Sequence, residues 1–160
     1  MSTAFSCCNW ALRRLIQALL VVGLFGWIGS VRAGGPDPKV LSYKLPDQIK
    51  WTSNGSGAEV ANLYGDPAKP GYYVYLNKWT PHHMSRPHYH PNDRFITVLK
   101  GTWWVGTGPK YDPDATTAMP AGSFVVHYGK QIHWDGAKDE ECVLLISGEG
   151  PAGSTAAEQK

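Results

Sequence analysis

The sequence predicts an all-β domain of antiparallel strands arranged as a sandwich or barrel, and three observations predict it. Short stretches rich in Val, Tyr, Trp and Ile recur between residues 71 and 150, each bounded by Gly, Pro or Asp. Beyond residue 33 no stretch sustains a helical spacing of apolar residues. Strands at this spacing, in a chain of single-domain length, bury their apolar faces by closing on a second sheet.

Residues 1–33 read as a secretory signal. Arg13 and Arg14 precede the apolar run "LIQALLVVGLFGWIGS", which ends at Val31-Arg32-Ala33, a small-residue cleavage pattern. The alternative is an uncleaved membrane anchor, because the run approaches the roughly 17–25 residues that span a bilayer. Cleavage removes three of the fifteen basic residues and no acid, leaving twelve bases against thirteen acids and a net charge of −1. The basic balance of the whole chain therefore belongs to the leader, and the rest has no clustered Lys and Arg of the kind a nucleic-acid surface needs. The expected location is periplasmic or secreted, with no membrane contact after cleavage. Cys7 and Cys8 leave with the leader. Cys142, alone in "EECVLLIS", is expected to be a buried structural thiol without a disulfide.

After the leader, residues 34–57 form an N-terminal segment, 58–150 the β domain and 151–160 a flexible tail. Strands are expected at 71–79, 86–90, 94–100, 102–107, 123–128, 132–135 and 142–148, where β-branched and aromatic residues concentrate. "DPAKPG" (66–71) and "GPKYDPDATTAMPAG" (108–122) read as loops, and the small, polar "GPAGSTAAEQK" reads as a frayed end.

All six histidines, His82, His83, His88, His90, His127 and His133, fall in the stretch 82–133. On a strand His88 and His90 project to the same face with Cβ atoms about 7 Å apart. Two imidazoles so placed can converge on one metal ion. An isolated His-x-His is also compatible with two surface histidines on an edge strand.

The histidine pair is followed by Arg94 and Gly101, and "GSFVVHYGKQIH" later sets His133 after Gly122. Together these resemble the cupin family, whose first motif carries His-x-His, a glutamate and a glycine, and whose second runs from a glycine through a Pro-x-Gly turn to a histidine. The upstream "ANLYGDPAKPGYYVYLNKW" is similar to the lead-in of small bacterial single-domain cupins, so the resemblance covers residues 58–150. It implies an antiparallel double-stranded β-helix, the RmlC-like cupin jelly-roll barrel. His88, His90 and His133 would hold one divalent metal ion (Fe, Zn, Mn, Cu or Ni), and Gly101 and Gly122 would serve as turn glycines. Three histidines without a carboxylate are similar to the set in several Fe(II) cupin dioxygenases, which places Fe(II) first.

The departures carry information. Arg94 stands at the family's glutamate, Tyr128 at its proline, Lys130 at the following glycine and His82 at the first glycine. Three neutral imidazoles leave a divalent ion its full charge, and a guanidinium adds to it at a separation where charges interact strongly. Arg94 therefore turns away, pairs with an acid such as Asp93, or receives an anionic ligand. Asp93 is a metal ligand if the strand starts early or bulges, and a solvated loop acid in regular register. His127 is a hydrogen-bonded core histidine, a donor behind the metal ligands or an alternative ligand, while His82 and His83 lie at the surface or pocket mouth. Trp103 and Trp104 point to opposite faces. One of them, with Tyr128 and Trp134, would line an aromatic pocket, and the other covers the outer face or an interface such as that of a homodimer.

Two function classes follow. In the first, the chain is an exported metal-dependent enzyme, an oxygenase or decarboxylase acting on a small anionic molecule, with Arg94, Asp93 and His127 as catalytic candidates. In the second, it is a non-catalytic module that binds or senses a small anion in the periplasm.

Overall fold

The computed structural model describes residues 34–159, so the leader expected at 1–33 lies outside the described residues. The chain divides into two units, residues 1–42 and 43–160. Of the first, the described part is a single turn in which the Val40 and Leu41 amides donate to the Asp37 carbonyl at 2.9 and 3.2 Å.

The second unit opens with a short 3-10 turn, Pro46–Gln48, and continues in strands: β1 (Thr52–Ser53), β2 (Ala58–Tyr64), β3 (Gly71–Trp79), β4 (His83–Met84), β5 (His88–Tyr89), β6 (Arg94–Lys100), β7 (Thr102–Thr107), β8 (Thr117–Pro120), β9 (Phe124–His127), β10 (His133–Ala137), β11 (Cys142–Gly150) and β12 (Thr155–Ala156). One sheet runs β1-β2-β3-β11-β6-β9; the other runs β12-β5-β10-β7-β8, with β4 also on β10. All the pairings are antiparallel. Among the described residues no helix is long and apolar enough to cross a membrane.

Alternation decides what faces inward. On β11, Cys142, Leu144 and Ile146 are buried, and on β6 Arg94, Ile96 and Val98 are buried while Phe95 and Leu99 are exposed. Ala58, Tyr73, Trp79, Trp103, Val105 and Ala137 complete the core. The expected strands at 71–79, 94–100 and 102–107 form over those residues. The others start or stop within a few residues of expectation, the largest change being 86–90, of which only His88–Tyr89 is strand.

Two expectations are corrected. The loop 108–122 contains β8, an edge strand whose Thr117, Ala118, Met119 and Pro120 pair with Val105, Trp104, Trp103 and Thr102. The tail is not frayed: Thr155 and Ala156 pair with Tyr89 and His88. The Ala157 amide donates to the Pro87 carbonyl at 2.9 Å, and Glu158 pairs with Arg86. Backbone hydrogen bonds to an edge strand hold this segment although its side chains are small and polar, because sheet pairing does not depend on side-chain burial. Cys142 is a free, buried thiol, and burial pushes its pKa up to about 12.

Candidate metal centre

The two sheets bring four histidines and one arginine together. His88 on β5 lies directly opposite His133 on β10, and His90 follows on the same side two residues later. From the other sheet, Arg94 at the start of β6 lies opposite His127 on β9. Ring centroids are 4.5 Å apart for His88 and His133, 5.2 Å for His90 and His133, and 3.8 Å for His127 and His133.

Backbone carbonyls fix how three of these rings present their nitrogens. The Nδ1 of His88 donates to the Arg86 carbonyl at 2.8 Å, that of His90 to Gly153 at 2.9 Å, and that of His133 to Gln131 at 3.1 Å. Each Nδ1 is thus protonated, and each Nε2 is the nitrogen turned toward the other rings. The Nε2 atoms of His88 and His90 stand 3.2 Å apart, and the Nε2 of His133 is buried without a partner. Imidazole nitrogens this close need a shared proton or a shared cation between them. The donor set His88, His90 and His133, with ligand atoms within 4.8 Å of one another, fits a divalent ion. Carbonyl-bound Nδ1 atoms are the support that metal-ligating histidines use.

Burial keeps the rings of His90, His127 and His133 neutral. It lowers the pKa of His90 to about 3, helped by the Arg94 charge, and that of His127 to about 2, helped by charge on His133. His133 is held below its ordinary value by burial, partly offset by Asp135. No proton needs to leave these three rings at neutral pH before an ion binds.

Arg94 points inward, as its facing with Ile96 and Val98 predicts, and is 9% exposed. Its Nη1 donates to His90 Nε2, its Nε has no partner, and among the described residues no carboxylate forms an ion pair with it. Arg94 therefore covers one of the three lone pairs, and an ion on all three histidines requires it to withdraw. A cavity of about 500 Å³ opens onto His88, His90 and Arg94 between walls that include Tyr75, Trp79 and Ser154.

Other site expectations change. Asp93 is exposed, and its Oδ1 accepts from the Gly129 amide at 2.7 Å. It clamps the turn after β9 and joins neither the histidines nor Arg94, because β6 begins in regular register. Tyr128 is 65% exposed and Trp134 packs outward against Gly106 and Tyr111, so neither lines the pocket; Tyr75 and Trp79 supply its aromatic surface. His127 is buried with both ring nitrogens unpartnered, which removes the hydrogen-bonded core reading. His82 and His83 are exposed. Sequence reading missed Asp135, buried on β10 with its Oδ1 accepting from Trp103 Nε1 at 3.1 Å, and Gly153, whose carbonyl steadies His90. Strand alternation from His133 was the available signal for Asp135.

No family model matches the sequence and no curated protein matches it. Among solved structures, the chain is similar to the polyketide cyclase RemF from Streptomyces resistomycificus, with 15% identity, 75% of this chain and 87% of that chain covered, and a TM-score of 0.62. It is similar to KdgF from a Halomonas species, with 14% identity, 68% and 94% covered, and a TM-score of 0.54. An RmlC-like cupin from Shewanella frigidimarina shares 14% identity over 69% and 90%, with a TM-score of 0.55. The fold is therefore that of the small cupins, an antiparallel double-stranded β-helix. Between its sheets lies a group of three histidines that fits a metal ion.

Proposed function

We propose that the protein is an exported, metal-dependent cupin enzyme, oxygenase-like or decarboxylase-like. In this reading it acts on a small carboxylate or enolate held between Arg94 and a divalent ion on His88, His90 and His133. The carrying observation is the facing pair of Nε2 atoms at 3.2 Å beside a buried guanidinium with no carboxylate partner. A bound ion would supply Lewis-acid or redox chemistry at a substrate oxygen, and three imidazoles without a carboxylate place Fe(II) first. Arg94 binds the anion through two parallel N–H donors. An anion that takes up the guanidinium also uncovers His90 Nε2, so ligand and ion favour each other. Tyr75 and Trp79 line the cavity beside that pair. The leader read in residues 1–33 supports a periplasmic or secreted location, and RemF, a polyketide cyclase, supports reading this barrel as a seat for chemistry.

One observation favours the second reading, a non-catalytic anion-binding or sensing module. Asp93 is committed to Gly129 and His127 is too weak a base at a pKa of about 2, so neither serves as general base at neutral pH. Turnover of a bound carboxylate separates the two readings.

The test is calorimetric titration of wild type, His88→Ala and Arg94→Glu with small carboxylates, with and without added metal. Binding is expected to need the metal, His88 and Arg94, with Arg94→Glu weakening the anion by roughly 2–5 kcal/mol. Equal affinities in wild type and Arg94→Glu, or carboxylate binding that His88→Ala leaves unchanged, would overturn the reading.

A further inference from the structure

A second group of metal-binding type lies beside the first. His127 on β9 and His133 and Asp135 on β10 place two ring nitrogens and a carboxylate oxygen within 4.8 Å of one another. All three residues are more than nine-tenths buried, at 7%, 4% and 7% exposure.

Three features of these residues ask for a cation. Neither nitrogen of His127 has a partner, nor has Nε2 of His133, and a buried polar atom without a partner is costly. The Oδ1 of Asp135 accepts from Trp103 Nε1, while its Oδ2 lies 3.9 Å from His133 Nε2. Among the described residues no Lys or Arg forms an ion pair with Asp135. A buried carboxyl group thus faces unpartnered imidazole nitrogens with one neutral N–H donor and no Lys or Arg ion pair against it, and burial of such a group is costly unless it is compensated.

We propose that His127, His133 and Asp135 form an inner seat for a divalent transition-metal ion, two imidazoles and one carboxylate. The seat shares His133 with the three-histidine seat and rests on that reading only through this common ligand. Two imidazoles with a carboxylate are a ligand set that first-row transition metals accept. The Nδ1 of His133 is held by the Gln131 carbonyl, so one nitrogen serves both seats and the chain binds one ion at a time. The inner seat leaves a divalent ion a net charge of +1, the outer seat +2. While Arg94 donates to His90 Nε2, the outer seat is one lone pair short and the inner donors are untouched. The position at β6 where the cupin motif sets a glutamate holds Arg94, and Asp135 returns a carboxylate to the centre from β10.

Metal-free full-length protein equilibrated with Zn(II), desalted and measured by elemental analysis tests the inner seat. Four proteins are compared: wild type, His88→Ala/His90→Ala, Asp135→Asn, and the triple variant combining them. Asn at 135 keeps an acceptor for Trp103. The double variant is expected to retain about one equivalent and the triple variant to lose affinity by more than about 100-fold. An empty double variant, or one whose metal is unaffected by Asp135→Asn, overturns the proposal. Asp135→Asn alone is expected to keep about one equivalent through the outer seat, so its failure counts against the three-histidine reading instead. If circular dichroism shows the double variant unfolded, His88→Gln with and without Asp135→Asn makes the same comparison on a smaller change, with the same two outcomes.

Discussion

His82 and Lys130 both hold φ at +64°, the left-handed region that residues with a Cβ enter at a cost of roughly 1–2 kcal/mol. They stand where the cupin motifs set glycines. The side chains have departed from the pattern while the backbone has kept it, since Lys130 still sends its amide to the His90 carbonyl at 2.7 Å. Lys130→Gly should therefore leave stability unchanged or raise it by up to about 1 kcal/mol, whereas Lys130→Val, branched at Cβ, should lower it by at least about 1 kcal/mol. Urea midpoints of the two variants provide the check. At this scale His88, His90, His133 and the inward Arg94 were legible, because strand alternation fixes facing once the strand is placed. Asp135 was not singled out, although it shares the facing of His133 in the expected strand 132–135; the pairing of β10 between β5 and β7 draws its carboxylate inside.

Strands with dense Val, Tyr, Trp and Ile were legible as elements, and strands made by pairing alone were not. β8 ends in a proline and β12 is Thr-Ala; neither has a side-chain signature, and each exists because an edge offered it hydrogen bonds. The cost of missing β12 falls on the site, since the segment around it supplies the carbonyl that orients His90 and the Ser154 and Ala156 that line the cavity. A chain ending at Gly150 should fold, because the core residues of β3, β6 and β11 are intact. Its metal affinity should fall about 10–100-fold, the usual effect of removing a group behind a ligand. Competition with a coloured chelator measures this, and unchanged affinity would show that Gly153 has no part in holding His90.

For the molecule as a whole, the buried histidines set a direction of pH dependence. An unfolded histidine takes up a proton near pH 6.5, but in the folded metal-free protein His90 does so only near 3 and His127 near 2. As pH falls through that window the unfolded state binds more protons. Stability is therefore full above about 6.5 and is lost on acidification, by up to about 1.4 kcal/mol per pH unit for each such histidine. Denaturant melts of metal-free protein from pH 7.5 to 4.5 should show this slope, and replacing His127 with Gln should reduce it. The double-sheet architecture was legible in full outline, since strand spacing and the lack of helical period left no other way to bury the apolar faces. The order of the chain adds a constraint on how the site comes into being. The stretch that steadies His90 follows every strand of the core in the chain, so the support of that ring forms only once the C-terminal segment has paired with β5.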